Sequence, residues 1–257
     1  MLLAINANNT NTKFAVFDGD RLAGSWRCAT DIRRTADEYV VWLAKLMEIE
    51  GLKLDRVSGV VIASVVPDGL FNLKTLCRQY MSQEPLVIGE PDVLLGVRAK
   101  VDRPEEVGAD RLVNAVETKF SHGGTAIVVD FGKATTFDVV DAEGDYCGGV
   151  ISPGINLSIE ALFHAAAKLP RIAIRRPKQV IGRNTVACME SGVFWGYVGL
   201  VEGVVRRIKA EYGQPMKVIS TGGLAPLFEG ATEVIDRMDP DLTLRGLLRV
   251  WRLNRPA

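Results

Sequence analysis

Two stretches of this chain follow one plan, and that repeat limits the folds open to it. Residues 2–20 read LLAINANNTNTKFAVFDGD, and from residue 126 the sequence runs AIVVDFGKATTFDVVDAEGD. Each has an apolar run, a short polar turn that reaches threonine, a second apolar run and a closing Gly turn, the pattern of strand, turn and strand. Laying Asn6 on Asp130 sets Asn8 on Gly132 and Thr12 on Thr136. An internal repeat of this kind predicts a duplicated domain in which each half opens with the same hairpin. No Pro- or Ser-rich linker separates the halves, so the boundary expected from the repeat falls near residues 121–124, giving domains 1–121 and 122–257.

Between and after the hairpins, strands alternate with helices. Residues 21–27 supply a third strand. Residues 35–50 carry Tyr39, Val40, Leu43, Leu46 and Met47 at helical spacing and stop at Gly51. The β-branched run VSGVVIAS ending at Ser64 has the composition of a buried parallel strand, followed by Pro67, a helix to Tyr80 and a short strand over 85–88. In the second half an amphipathic helix is expected within 148–169, a long one within 181–203, and a strand, a Thr-Gly-Gly turn and a helix over 218–228. The tail, 240–257, reads as a last helix with a frayed basic end. The fold class is α/β.

Composition narrows the function. Lys+Arg and Asp+Glu both number 31, which argues against a general nucleic-acid surface. Four scattered cysteines without CxxC spacing read as reduced thiols of a cytoplasmic protein. The apolar runs are too short to span a bilayer, and His164 stands alone within its helix as a structural residue. Phe194, Trp195 and Tyr197 read as core or interface filling.

Three places carry chemistry. The Asn/Thr turns offer hydroxyls, amides and backbone N–H groups with little bulk, which suits phosphate oxygens. Residues 104–116, PEEVGADRLVNAV, run from a Pro-started acidic turn into a helix with Gly108, Asp110 and Arg111 at its mouth. An Asp there is either a helix cap or a base that takes a proton from a substrate hydroxyl while Arg111 holds an anion. Gly222 and Gly223 follow a short strand, where bare backbone can face a nucleotide.

The order of Asn-Thr hairpin, GADR, DFGxATTFDVV, GGVISPGINLS, IGRNT, SGVFWGYVGL and TGGLAP resembles the type III pantothenate kinases of the actin, sugar kinase and heat-shock ATPase superfamily, over nearly the whole chain. That resemblance implies two ribonuclease H-like (actin-like ATPase) domains, transfer of phosphate from ATP to pantothenate in the first step towards coenzyme A, and a homodimer with pantothenate bound near the interface. It also implies Mg2+ or another divalent metal, and a monovalent cation, K+ or NH4+. By the same resemblance Asp110 is the base, with Gly108, Ala109 and Arg111 lining the site and Thr185 touching pantothenate. Asp130 binds the monovalent cation. Asn6, Asn8, Asn9, Thr10, Asn11, Thr12 and Lys13, with Lys133, Gly222 and Gly223, form the ATP site.

The chain departs from the family pattern on the phosphate side, with Asn6 in place of Asp, Asn8 in place of Gly and Lys133 in place of Thr. A tyrosine common before GADR is also missing, with Val101 nearest. Asn6 keeps an oxygen but not the charge that anchors a hydrated metal, which implies a slow enzyme. Lys133 leaves two accounts open: a tethered ammonium replacing the monovalent cation, or a lysine that pairs with Asp130 and blocks its site. Two functions follow, a working kinase with altered cation need, or a non-catalytic homologue forming a heteromer with an active one.

Overall fold

A computed structural model describes residues 1–165 and 169–255. The parts of the expected helix at 166–168 and of the tail at 256–257 lie outside the described residues. The chain divides into two compact units, one formed by Met1–Glu117 with Leu242–Ala257, the other by Thr118–Asp241.

The first unit is a five-stranded sheet in the order β3-β2-β1-β4-β5, made of β1 (Leu2–Ala7), β2 (Asn11–Asp18), β3 (Arg21–Ala29), β4 (Gly59–Ser64) and β5 (Leu86–Val87). The first three strands pair antiparallel, while β4 runs parallel to both β1 and β5. All six residues of β1 are buried, because helices cover both faces of the sheet. Side chains alternate along a strand. Leu3, Ile5, Phe14, Val16, Val60 and Ile62 therefore meet α1 (Ala36–Ile49) and α2 (Pro67–Met81) through Tyr39, Leu43, Met47, Leu73 and Leu76. Leu2, Ala4, Ala15, Phe17, Val61 and Ala63 meet α3 (Ala109–Ser121) and the last helix. A capping box opens α1: Glu38 N–H donates to Thr35 Oγ1 (3.3 Å) and Thr35 N–H to Glu38 Oε2 (2.8 Å).

The second unit repeats this topology as β10-β9-β6-β7-β8, with β6 (Ala126–Phe131), β7 (Ala134–Val140), β8 (Tyr146–Pro153), β9 (Lys217–Thr221) and β10 (Arg237–Met238). Its helices are α4 (Ile155–Ala165) and α5 (Thr185–Tyr212). One sheet face packs on α5 around Phe228, whose ring stacks on Phe131 at 4.8 Å and on Tyr197 at 5.2 Å between centroids. The aromatic residues expected as core filling do that work. No helix of the described residues is long and apolar enough to cross a membrane.

The sequence expectation did not include strands β8 and β10, and the helix expected at the end of 218–228 is a short 3₁₀ turn, Ala225–Phe228; two further differences concern the tail and the hairpins. Sequence order puts the tail in the second domain, but α6 (Leu242–Leu253) packs on β1 and β4 of the first unit. Gly246 makes the close approach possible, since a Cβ there would overlap the Val113 carbonyl oxygen and stand 2.6 Å from Val113 Cγ1. Glu117, fully buried on α3, accepts from Arg245 Nε at 3.1 Å and Arg249 Nε at 3.0 Å. The hairpins also differ by one turn residue. Asn6 pairs with Lys13 and Ala7 with Thr12, whereas Asp130 pairs with Thr136 and Phe131 with Thr135. If Asn6 matches Asp130, the equivalent of Thr136 is Lys13, not Thr12.

Candidate active site

In the first unit, the site residues gather at one end of the sheet. The turn between β1 and β2 is held by Asn8 N–H donating to Asn11 O (3.1 Å), Thr30 N–H to Thr10 O (3.0 Å) and Thr30 Oγ1–H to Asn8 O (2.6 Å). Thr12 is buried with its hydroxyl 2.9 Å from that of Thr30, so it shapes the turn. Asn9, Thr10 and Asn11 are exposed and Lys13 is half-buried. Thr30 carries no local signal in the sequence; its role depends on β3 returning beside the turn.

The GADR segment reaches the same end. Beyond β4, Val65 N–H donates to Ala7 O at 3.0 Å, and a Cβ on Gly108 would stand 3.5 Å from Val65 Cγ1 and 2.8 Å from Asp110 Oδ1. Glycine thus lets the start of α3 close on the ends of β1 and β4. Ala109 is buried, and Asp110 accepts from the Arg111 backbone N–H at 2.8 Å. Burial raises the Asp110 carboxyl above its ordinary value, against the opposing pull of that N–H and of the Arg111 guanidinium. A carboxylate whose proton affinity is raised in this way is suited to accept a proton.

The second unit builds its own turn. Asp130 lies on β6 between Thr136 of β7 and Thr221 of β9. Gly222 follows with φ +94°, and a Cβ there would overlap Asp130 Oδ1 and stand 2.6 Å from Phe131 N and 2.7 Å from Phe131 O. Gly154 closes the turn from the other side, donating N–H to Lys133 O at 3.0 Å, where a Cβ would stand 2.6 Å from Gly132 O. Gly154 is not among the residues assigned from sequence; the Pro-Gly pair before a helix is the signal for it. Lys133 is exposed in the turn. Thr185 is the exposed first residue of α5, whose N-cap Asn184 accepts from Ala187 N–H at 2.9 Å.

Replacing Gly222 tests this turn. Gly222→Ala combines an unfavourable φ with overlap at Asp130, so a loss of about 1–3 kcal/mol in stability is expected, read as a lower urea midpoint. An unchanged midpoint would show that the turn adapts.

The paired units and their turns find counterparts among known proteins. Among solved structures, a chain assigned as 2-dehydro-3-deoxygalactonokinase from Sinorhizobium meliloti superposes with TM-score 0.60 at 13% identity over all of this chain and 98% of that one. The activator of the 2-hydroxyisocaproyl-CoA dehydratase from Clostridium difficile, with bound ADPNP, gives TM-score 0.53 at 12% identity over 98% and 95%. At such identities they establish the fold, that of the actin-like ATPases and sugar kinases. The family model described as type III pantothenate kinase matches residues 2–207. The type III pantothenate kinase of Paramagnetospirillum magneticum is 64% identical over 99% of this chain and 98% of its own length. That of Rhodospirillum rubrum is 59% identical over the whole of both. With the fold, the duplicated turns and this identity over its full length, the chain belongs to the type III pantothenate kinase family.

Proposed function

We propose that this chain transfers the γ-phosphate of ATP to pantothenate, giving 4′-phosphopantothenate for coenzyme A biosynthesis. The observation that carries the assignment is Asp110, a carboxylate of raised proton affinity at the start of α3, at the same sheet end as the Asn/Thr turn. Phosphoryl transfer is catalysed mainly by positioning and charge neutralisation. Asp110 takes the proton of the pantothenate hydroxyl as that oxygen attacks phosphorus. Gly108 and Ala109 shape the pocket and Arg111 holds pantothenate; in the second unit, contact with pantothenate is assigned to Thr185. Asn6, Asn8, Asn9, Thr10, Asn11 and Lys13 receive the phosphates on a turn shaped by the buried Thr12; in the second unit, Lys133, Gly222 and Gly223 are assigned to the nucleotide.

An ATP-using kinase family implies a divalent metal. The first hairpin does not fit one held by protein: its inward oxygens, Asn6 Oδ1 and Asn8 Oδ1, are neutral amides, buried and without a hydrogen-bond partner, whereas such metals are ordinarily held through carboxylates. Among the described residues no group of three His, Cys, Asp or Glu is arranged to hold a metal ion. For a monovalent cation the second hairpin fits better. Asp130 Oδ1 lies against Gly222, a carboxylate that would hold a weakly hydrated ion and so neutralise phosphate charge.

A homodimer is part of the proposal. Ile151 on edge strand β8, and Val180 and Ile181, expose large apolar side chains on the second unit, and a second copy would cover exposed apolar side chains of this kind. Four free cysteines accord with a cytoplasmic location. The relatives carry the kinase name over the full length of this chain, so a non-catalytic partner subunit is not favoured.

The test is ADP release by the purified chain with pantothenate, with and without K+ or NH4+, and identification of the product by mass. Pantothenate-dependent turnover stimulated by K+ is the expected result. Turnover indifferent to K+ would move the cation role to Lys133, and an ATP-binding chain with no pantothenate-dependent turnover would remove the substrate assignment.

A further inference from the structure

The mismatch between the first hairpin and a protein-held metal leaves two facts to be joined. Asn6 is more than nine-tenths buried, yet its Oδ1 has no hydrogen-bond donor, and Asn8 Oδ1 is in the same condition. A buried acceptor left without a donor is costly and rare. Directly across the antiparallel pair from Asn6 stands Lys13. Residues opposite one another in such a pair project from the same face of the sheet with Cβ atoms close together. That face is the one covered by α3, since Lys13 is in phase with Ala15 and Phe17, and Asn6 with Leu2 and Ala4. A half-buried lysine, an acceptor short of a donor and the helix that begins with Ala109 and Asp110 are thus on one side of one sheet.

We propose that Lys13 takes the place of a protein-held divalent ion at the nucleotide phosphates, so that this chain binds ATP without metal. The inference rests on the nucleotide site proposed above and specifies the form of nucleotide it takes. A carboxylate holding Mg2+ presents one net positive charge to the phosphates, and a neutral amide facing a lysine ammonium presents the same. With the nucleotide bound, the ammonium donates to Asn6 Oδ1 and to phosphate oxygens together, which satisfies the orphaned amide and forms charge-assisted hydrogen bonds. The amide at position 6 is part of the device. An aspartate there would pair across the strands with Lys13 and cancel the charge that phosphate needs.

Calorimetric titration of the full chain with ATP tests this, once in EDTA with tetramethylammonium as the monovalent cation and once in excess Mg2+. Metal-free ATP should bind the native chain at least as tightly as the Mg2+ complex. Lys13→Met, which keeps the aliphatic stem, should weaken metal-free binding about tenfold or more, the scale of a charged hydrogen-bond pair, and should weaken binding in Mg2+ less. Asn6→Asp should reverse the preference towards the Mg2+ complex. Unfolding midpoints of both variants close to the native value would tie these shifts to the site. A native chain that binds ATP only with Mg2+, or a Lys13→Met variant with unaltered metal-free binding, would overturn the inference. Metal-free ATP binding without pantothenate turnover would leave it standing and remove only the substrate. No nucleotide binding in any arm would overturn both.

Discussion

Asp110→Asn should abolish pantothenate-dependent turnover to within a small residue, lowering kcat about 10²–10⁴-fold, the usual contribution of a positioned general base. Binding should survive, because the amide oxygen can still accept from the Arg111 N–H that now meets Asp110 at 2.8 Å. KM for ATP should stay near the native value. In the native chain the acid limb of kcat/KM should lie above the ordinary carboxylate value of 3.8, since burial raises this group. Below that limb the carboxyl is protonated and cannot accept the hydroxyl proton; above it the rate is level until another group titrates.

The same shift fixes the sign of a stability effect. The folded state binds this proton more tightly than the unfolded state, so the group's contribution to stability falls as pH rises from the unfolded value through the folded one. Above the folded value the full cost of a buried charge is present. A neutral amide at this position would not carry that cost, so Asp110→Asn should match or exceed the native chain in Tm at pH 8, with the difference narrowing as pH falls towards 4. A variant that is both active within threefold and less stable at pH 8 would sink the assignment of Asp110 as an ionised buried base.

Ending the chain at Asp241 should unfold the first unit. The lost segment contains Leu242, Leu244, Leu247 and Val250, all fully buried, and Leu248, nearly so. They cover the face of the sheet that carries Leu2, Ala4, Val61 and Ala63. At about 1.5–3 kcal/mol for each fully buried aliphatic side chain, their removal costs on the order of 10 kcal/mol, comparable to the whole stability of an ordinary domain, about 5–15 kcal/mol. Glu117 would also lose Arg245 and Arg249 while its side chain is fully enclosed, and an unpaired buried charge is strongly destabilising. Hydrogen exchange should show lost protection across β1 and β4, whereas a chain ended at Arg255 should exchange like the native one. Retained protection in β1 of the shorter chain would mean that the sheet does not depend on its last helix.

Much of this architecture is open to inspection in the sequence because the relevant signals are local. The two hairpins show as apolar runs around short polar turns, and β4 as an apolar run rich in β-branched residues, since a strand covered on both faces needs apolar residues in both phases. The capping pair Thr35 and Glu38 and the stop at Gly51 mark the ends of α1 by short-range hydrogen bonding and a permitted φ of +72°. The GADR turn is likewise visible as a Gly that frees a helix start and an Asp within its first turn.

Other features follow only from tertiary structure. An amphipathic helix shows which of its faces is apolar but not which sheet receives it, so α6 reads as the tail of the second half until Gly246 is seen against Val113. A one-residue difference between two turns is silent in an ungapped comparison; strand pairing reveals it, moving the equivalent of Thr136 from Thr12 to Lys13. Gly222 and Asp130 are far apart in sequence, and only the parallel pairing of β6 and β9 brings the glycine to the carboxylate. Sequence by itself determined most of the elements, the two opening hairpins and the family, because these depend on side-chain pattern along the chain. Tertiary structure alone decided which helix covers which sheet, which amide oxygens lack a donor and which lysine faces them, because burial and hydrogen bonding depend on neighbours brought together from distant parts of the chain.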